Sequence, residues 1–243
     1  MPEMTGGASR FVTALLSKVR PQSEASAAVP LPALLGWYAR RGLVPALRGL
    51  TRLPFLASAR LPLFVGRGVV IEYARMLHVG RGVQLGAGLR ITALSERGVH
   101  LGHGVTVREQ GWIQCSSHPA NPGDGLWVGD GTYIGPRVTI GVGGPIRIGR
   151  GCQLGANVTL IAENHEVTEQ GASAHDVLRR GIRIGDGCWL GHGATVLDGV
   201  ELGDRCVVGA GAVVTKSFPA GTTLVGVPAR PVGGRGTKTE AEA

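Results

Sequence analysis

The second half of this chain places an apolar branched residue at every sixth position without a slip. These residues occur at 184, 190, 196, 202, 208 and 214. Gly follows four of the six, and a small or branched residue occupies the fourth place after each of the first five. A fixed short period indicates a solenoid, in which each repeat buries its apolar face only against its neighbours.

The same period occurs less regularly upstream. Apolar residues begin hexads at 65, 79, 85, 91, 101, 107, 113, 128, 134, 140, 148, 154 and 160. Three hexads form a triangular turn, so short parallel strands are expected to stack on their equivalents about 4.8 Å away. The period breaks at 115–126 and 165–181, which predicts loops there, and interruptions of a solenoid tend to collect on its functional face.

The composition agrees with a glycine-cornered solenoid. Glycine makes up 41 of the 243 residues, yet no Gly-X-Y period occurs and hydrophobic residues reach 43%. This combination excludes collagen and argues against a disordered chain. In a solenoid, glycine supplies tight corners at which a Cβ would clash.

Three of the four cysteines are predicted to be core residues. Cys152, Cys188 and Cys206 occupy the small fourth place of their hexads, which favours packing over metal binding or disulfide formation. The sequence has neither a Cys-x-x-Cys motif nor a secretory signal pattern. We therefore expect a cytoplasmic protein without a metal site.

The positive charge is concentrated near the N-terminus. Of the net charge of +8, residues 1–64 contribute +6, and they include an amphipathic pattern at 9–20 and proline-broken segments at 33–64 that predict short helices. This arm is interpreted either as a cap over the first coil or as a basic arm that contacts a membrane surface. No nucleic-acid-binding module occurs, so no nucleic-acid partner is expected.

Several motifs resemble those of the hexapeptide-repeat acyltransferases, in the branch that O-acetylates sugars and polysaccharides. They are Pro-Ile-Arg-Ile-Gly at 145–149, Asn-His at 164–165, Ile-Gly-Asp-Gly-Cys-Trp-Leu-Gly at 184–191, the run at 208–216 and Gly-Val-Pro-Ala-Arg at 226–230. The hexads alone specify only a fold, whereas these blocks in this order are more specific.

The resemblance covers roughly residues 65–232 and implies an all-β solenoid, a left-handed parallel β-helix of hexapeptide repeats. The predicted organisation is a helical, basic segment at 1–64, the β-helix at 65–232 and a disordered tail at 233–243. The family also implies a homotrimer, with the catalytic cleft between neighbouring subunits.

The resemblance implies transfer of an acetyl group from acetyl-CoA to a hydroxyl, with one histidine as general base. His165 occupies the family's position, and imidazole titrates near neutral pH. Glu166 is predicted to orient the ring, although Glu163, Glu169 or a backbone carbonyl would also serve. Further residues are assigned by the same resemblance or by their place in the loops. For the cofactor they are Trp189, His192, Ala210, Thr215, Lys216 and Arg230, and for the acceptor His118 and Asn164.

Three alternatives to O-acetylation stay open. An enzyme of the same family that acylates an amino sugar or a nucleotide sugar would use the same base. A serine acetyltransferase is disfavoured because the Asp-Arg-His-Pro segment of that branch does not occur. A non-catalytic trimeric scaffold would keep the repeats without requiring His165, Lys216 and Arg230 together.

Overall fold

Short helices precede the first strand in the computed structural model, as the sequence predicts for 33–64. The structure describes residues 32, 33, 36, 39–115, 120–168 and 171–232, with only the backbone of 165–168 and 171–176. A π-helical segment, Ala39–Leu43, is followed by helix α1, Val44–Arg52, and by the 3-10 turn Leu53–Phe55. The predicted helix at 9–20 and the tail at 233–243 lie outside the described residues.

The chain divides into two compact units after Val44. In the second unit, α1 lies so close to the next segment that a Cβ on Gly49 would clash with the carbonyl oxygen of Leu63. The domain boundary predicted at 64/65 stays a prediction, as does membrane contact by residues 1–64. No helix in the described part is long and apolar enough to cross a membrane.

The second unit winds through three sheets in turn. Sheet 1 contains β1 Ser58–Ala59, β4 Leu77–Val79, β7 Val99–Leu101, β10 Leu126–Val128, β13 Ile146–Ile148, β18 Ile182–Ile184 and β21 Glu201–Leu202. Sheet 2 contains β2 Leu63–Val65, β5 Val83–Leu85, β8 Thr106–Val107, β11 Tyr133–Ile134, β14 Gln153–Leu154, β19 Trp189–Leu190, β22 Val207–Val208, β24 Thr223–Val225 and β25 Arg230–Pro231. Sheet 3 contains β3 Val70–Glu72, β6 Arg90–Thr92, β9 Trp112–Gln114, β12 Thr139–Gly141, β15 Thr159–Ile161, β20 Thr195–Leu197 and β23 Val213–Val214.

Successive coils stack so that each strand pairs in parallel with the equivalent strand of the next coil, apart from the antiparallel pair β24–β25 and the inserted hairpin described below. Parallel coils with a six-residue period fit the predicted left-handed β-helix. The apolar residue that begins each hexad points inward, and every one of these residues from Val65 to Val214 is at most 4% exposed. The predicted solenoid core is therefore confirmed residue by residue.

The corners of the coils differ in length. Six residues separate the inward residues Val128, Ile134 and Ile140 of successive sheets, and the same spacing holds in the other coils. The step from sheet 3 back to sheet 1 varies, with 15 residues from Ile113 to Val128 and 24 from Leu160 to Ile184. All long insertions therefore lie at the corner between sheets 3 and 1, which we call the loop corner.

The inner cysteines also bond the coils to one another. The Sγ atoms of Cys152, Cys188 and Cys206 contact the carbonyl oxygens of Gly185, Gly203 and Pro219 in the next coil, at 3.1, 3.2 and 3.2 Å. All three cysteines are buried and free, as predicted. Burial together with this thiol donation explains why a small, weakly polar residue occupies the position.

The first position of each Gly-Asp corner is occupied by glycine for a steric reason. A Cβ on Gly149 would lie 2.6 Å from the backbone of Gly185 and of Asp186 in the next coil. Asp186 Oδ1 accepts a hydrogen bond from the Arg150 backbone N–H at 2.8 Å, and Asp204 Oδ1 accepts one from the Asp186 N–H at 2.9 Å. These aspartates are corner residues, as the sequence indicated, and they lock each coil to the next.

Candidate active site

Two insertions meet at the loop corner. The longer one forms a hairpin of β16, Asn164–Thr168, and β17, Gly171–Leu178, between sheets 3 and 1. The other follows β9 and returns to sheet 1 at β10, and its residues 116–119 lie outside the described part. The hairpin and this segment leave the same corner of the prism, which agrees with the prediction that the breaks in period share one face.

His165 lies at the base of the hairpin. Its backbone pairs with Val177, one residue after Asn164 pairs with Leu178, and the register shifts before Val167 pairs with Ala172. Irregular pairing of this kind is common beside active sites, where it redirects side chains. The structure describes only the backbone of His165 and Glu166, whereas Asn164 is exposed. His118 lies outside the described residues.

Arg179 joins the two insertions at the point where the hairpin returns to sheet 1. Its Nη1 donates to Asn121 Oδ1 at 2.8 Å and to the Pro122 carbonyl at 3.4 Å. Its Nη2 lies 3.3 Å from Glu163 Oε2 on the other side of the hairpin base. A single half-buried guanidinium therefore fixes the second loop relative to the start of the hairpin. It also engages Glu163, one of the carboxylates considered as a partner for the base.

Asp198 holds the end of the hairpin from the following coil. Its Oδ1 accepts from the Gly181 N–H at 2.7 Å and its Oδ2 from the Arg180 N–H at 3.1 Å. On the other flank, Arg97 forms an ion pair with Asp124. The loop corner is thus fastened by polar side chains at positions that the six-residue period does not mark.

The cysteine at this corner, Cys115, is buried. Burial raises the pKa of the Cys115 thiol to about 12, so the side chain is protonated at neutral pH. Only the thiolate reacts readily with a thioester. Acyl transfer through a covalent intermediate on Cys115 is therefore disfavoured, in keeping with the predicted direct transfer.

The residues predicted to bind the cofactor lie on different parts of the prism. Trp189 points outward from sheet 2 and is 54% exposed. His192 and Ala210 are exposed at the corner between sheets 2 and 3, where His192 Nε2 lies 3.0 Å from Asn157 Nδ2. The remaining three, Thr215, Lys216 and Arg230, are exposed after β23 or on β25.

The six residues predicted to bind the cofactor do not lie together in one pocket on the surface of a single chain. Thr215 and Lys216 follow sheet 3 at the loop corner, whereas His192 and Ala210 lie at the preceding corner and Trp189 on sheet 2. Among the described residues, no group of three or more His, Cys, Asp or Glu side chains is arranged to hold a metal ion.

Sequence reasoning did not identify Arg179, Asn121 or Asp198. Arg179 ends an insertion whose length breaks the period, so its partner in another loop cannot be found by counting hexads. The position of Arg179 in the sequence could have identified it, because residues 179–181 lead back into sheet 1 immediately before Ile182 and Ile184.

Comparison with protein-family models gives two matches within the β-helix. Residues 181–216 match the model described as bacterial transferase hexapeptide (six repeats). Residues 125–162 match the model of the hexapeptide repeat of succinyl-transferase. These matches support the resemblance to hexapeptide-repeat transferases, and they flank the hairpin on both sides. Comparison with curated proteins gives no match.

Solved structures share the fold. A mutant of AntD, an N-acyltransferase from Bacillus cereus in complex with dTDP and coenzyme A, has one aspartate replaced by asparagine. It superposes with a TM-score of 0.50 at 14% identity, over 76% of this chain and 88% of that chain. A second AntD mutant with the same ligands, in which a serine is replaced by threonine, has a TM-score of 0.50 at 14% identity, over 77% and 88%. A maltose O-acetyltransferase from Clostridium difficile 630 is 18% identical over 93% and 86%, with a TM-score of 0.37 that carries no inference.

Proposed function

We propose that this protein is a CoA-dependent acyltransferase that moves an acetyl group from acetyl-CoA to a hydroxyl of a sugar or glycan precursor. The observation that carries the proposal is the place of His165, at the base of the longest insertion in an otherwise regular hexapeptide solenoid. The repeat matches on both sides of the hairpin support it.

In the proposed reaction, the imidazole of His165 accepts the proton of the acceptor hydroxyl while the oxygen attacks the thioester carbonyl carbon. A C–O bond forms, the C–S bond breaks, and CoA leaves as a thiol after protonation. A hydroxyl is a poor nucleophile at neutral pH, and a base that titrates near pH 7 lowers the barrier. Glu166 is proposed to orient the ring, while His118 and Asn164 are proposed to contact the acceptor.

The chain offers suitable groups for CoA. Its phosphates require cations, and the exposed Lys216 and Arg230 form no ion pair within the described residues. Lys216 Nζ lies 5.6 Å from the ring of Phe218, which keeps this cation against the C-terminal end of the solenoid. Because the proposed cofactor residues occupy separate faces of one chain, a pocket between the subunits of a homotrimer is part of the proposal.

N-acylation is the second candidate. The AntD structures share this fold, and AntD is an N-acyltransferase solved with dTDP and coenzyme A. An amine on an amino sugar or a nucleotide sugar would lose its proton to the same base. A panel that pairs each hydroxyl acceptor with its amino-sugar counterpart separates the two, since the product mass and its stability to mild base distinguish an ester from an amide.

The central test is the variant His165→Ala. We expect acetyl transfer, followed as release of free CoA, to fall by roughly 10²–10⁴-fold, which is the usual contribution of a general base. Folding and oligomeric state should be unchanged by circular dichroism and size-exclusion chromatography. The matched control is His175→Ala in the same hairpin, which should keep wild-type turnover.

Two outcomes would contradict the proposal. Wild-type turnover by the His165→Ala variant would remove the mechanism, even if the protein remains an acyltransferase. Failure of the wild-type protein to bind CoA in calorimetry would instead favour a non-catalytic scaffold.

A further inference from the structure

The outer face of sheet 1 carries a continuous column of polar and aromatic side chains. The register of the strands places one outward residue of each strand directly over the next. In order along the solenoid these residues, which we call the sheet-1 column, are Ser58, His78, His100, Trp127, Arg147, Arg183 and Glu201. Six steps between strands give a length of roughly 29 Å at about 4.8 Å per step.

The planar groups of the column stack on one another. The His78 and His100 rings lie 4.4 Å apart with 5° between their planes, and His100 and Trp127 lie 5.6 Å apart at 2°. The Arg147 guanidinium lies 4.1 Å from the Trp127 centroid on the next rung. The faces of His100 and Trp127 are therefore covered by neighbouring rungs, and a ligand meets the edges of these rings.

A groove of about 960 Å³ runs beside the column, on the side where the strands of sheet 1 end. It is lined by His78, His100, Trp127, Arg147 and Arg183 along with the adjoining strand ends. Within the described residues Trp127, Arg147 and Arg183 make no side-chain hydrogen bond, so their N–H groups remain available to the groove. The groove therefore presents donors to any ligand that occupies it.

Two arginines face each other at one end of the groove. Arg147 and Arg183 are exposed, directly opposite each other in the register, and form no ion pair within the described residues. Like charges placed opposite each other in a sheet are destabilising. Among the nearby carboxylates, Asp186 is bound to the backbone N–H and guanidinium of Arg150, which lower its pKa. Asp204 accepts a hydrogen bond from the Asp186 N–H, and Glu201 lies opposite Arg183 alone, so Arg147 has no acidic neighbour in the register.

The histidine end of the groove contains two short polar contacts. Ser58 Oγ lies 3.0 Å from His78 Nδ1, and His100 Nε2 lies 2.8 Å from the Arg97 carbonyl oxygen. Burial and then the neighbouring His100 ring lower the pKa of His78, which favours the neutral form of this ring. A ligand that lies along the column meets the edges of the rings first and the two guanidiniums further on.

We propose that this groove binds an acidic oligosaccharide, with a carboxylate of the sugar chain bridging Arg147 and Arg183 and further sugar hydroxyls bonded along the ring edges. The length of the groove and its surplus of hydrogen-bond donors suit an oligosaccharide, because sugar rings carry many acceptor oxygens. The anion would remove the repulsion between the two guanidiniums. This binding site is distinct from the loop corner, which lies at the opposite ends of the same strands, and does not depend on acyl transfer there.

Single-stranded nucleic acid is disfavoured by the stacking. Proteins that hold it without sequence preference stack its bases on exposed aromatic faces. In the sheet-1 column both faces of Trp127 and of His100 are already covered. The groove can therefore bind oxygen atoms and anions, but it offers no open platform for a base.

The test uses the full-length protein and isothermal titration calorimetry with a galacturonate hexamer as the probe. We expect saturable binding that maltohexaose, a neutral chain of the same length, does not show. The double variant Arg147→Gln, Arg183→Gln should weaken binding by about tenfold or more, as expected for loss of charge-assisted hydrogen bonds. Its melting temperature should be unchanged or higher, because the repulsion between the two arginines is removed.

The matched control is Arg90→Gln, an exposed strand arginine on sheet 3, which should change the affinity by less than about twofold. Equal affinity for maltohexaose, or equal loss of affinity in the control, would overturn the proposal. Inorganic phosphate that binds as tightly as the hexamer would reduce the groove to a simple anion site. Tighter binding of oligo(dT) than of the hexamer would show a nucleic-acid site instead.

Discussion

The loop corner lies at one end of the strands of sheet 1, whereas the sheet-1 column runs across their outer face, and the two are built in different ways. The loop corner is built from insertions, which Arg179 and Asp198 fasten to the solenoid. The column needs no insertion beside it, since it arises where outward residues of regular strands fall into register. The loop corner therefore interrupts the six-residue repeat, whereas the sheet-1 column results from it.

The difference shows how a solenoid can carry two kinds of site. Six-residue corners keep the backbone fixed, so a side chain on one rung meets a predictable neighbour on the next. Insertions at one corner change neither the inner ladder nor that register, because the coil closes again after any length. We therefore expect catalysis at the loop corner, where insertions can vary in length. Binding of an extended ligand is expected on the outer face of the sheet.

Removal of the hairpin should give the largest effect and separate the two regions. Deleting residues 165–178 shortens the step from Leu160 to Ile184 from 24 residues to ten, the length that already occurs between Ile91 and Leu101. We expect acyl transfer to fall by at least about 10²-fold, since the proposed base is lost. Oligosaccharide binding in calorimetry and the circular dichroism spectrum should be retained. Retained turnover would show that the catalytic group lies elsewhere.

Adding a methyl group where two coils touch should give the next largest effect, in this case on stability. Gly149→Ala places a Cβ 2.6 Å from the backbone of the next coil, which cannot move without breaking the sheet. We expect the free energy of unfolding to fall by about 3 kcal/mol in urea titrations. The matched variant Gly151→Ala has open space but a φ of +63°, and it should cost only about 1 kcal/mol. Equal losses would show that backbone conformation, not contact between coils, sets the cost.

Loss of the link between the two insertions should give the smallest effect. Arg179→Ala removes the bonds to Asn121 and Glu163, so the second loop is no longer held against the hairpin base. We expect KM for the acceptor to rise about tenfold with little change in kcat. The neighbour variant Arg180→Ala should leave both constants unchanged. A lower melting temperature with unchanged KM would make Arg179 a structural residue only.

Much of the fold was predictable because the signal is local. The inward residues that begin the hexads were identified by their spacing, and the hexad describes one strand and one corner. Cys152, Cys188 and Cys206 were likewise assigned to the core from spacing alone. The place of His165 at the start of an insertion followed from the break in period, whereas the role of its side chain stays a proposal.

The column was not predicted, although its residues share a position. His78, His100, Trp127, Arg147 and Arg183 each stand immediately before an inward residue of sheet 1. Their spacing along the chain runs from 20 to 36 residues because insertions of different length intervene. Without knowing which hexads belong to the same sheet, the sequence offers no reason to group them.

By itself, the sequence determined the period, the inward ladder, the corner glycines and the points at which the solenoid is interrupted. Each of these depends on a few neighbouring residues and on the steric limits of the backbone. Only the tertiary structure decided that the insertions share one corner, that Arg179 reaches Asn121 and that two arginines face each other on sheet 1. Such contacts depend on which strands and loops lie side by side, and residues that are far apart in the chain decide this together.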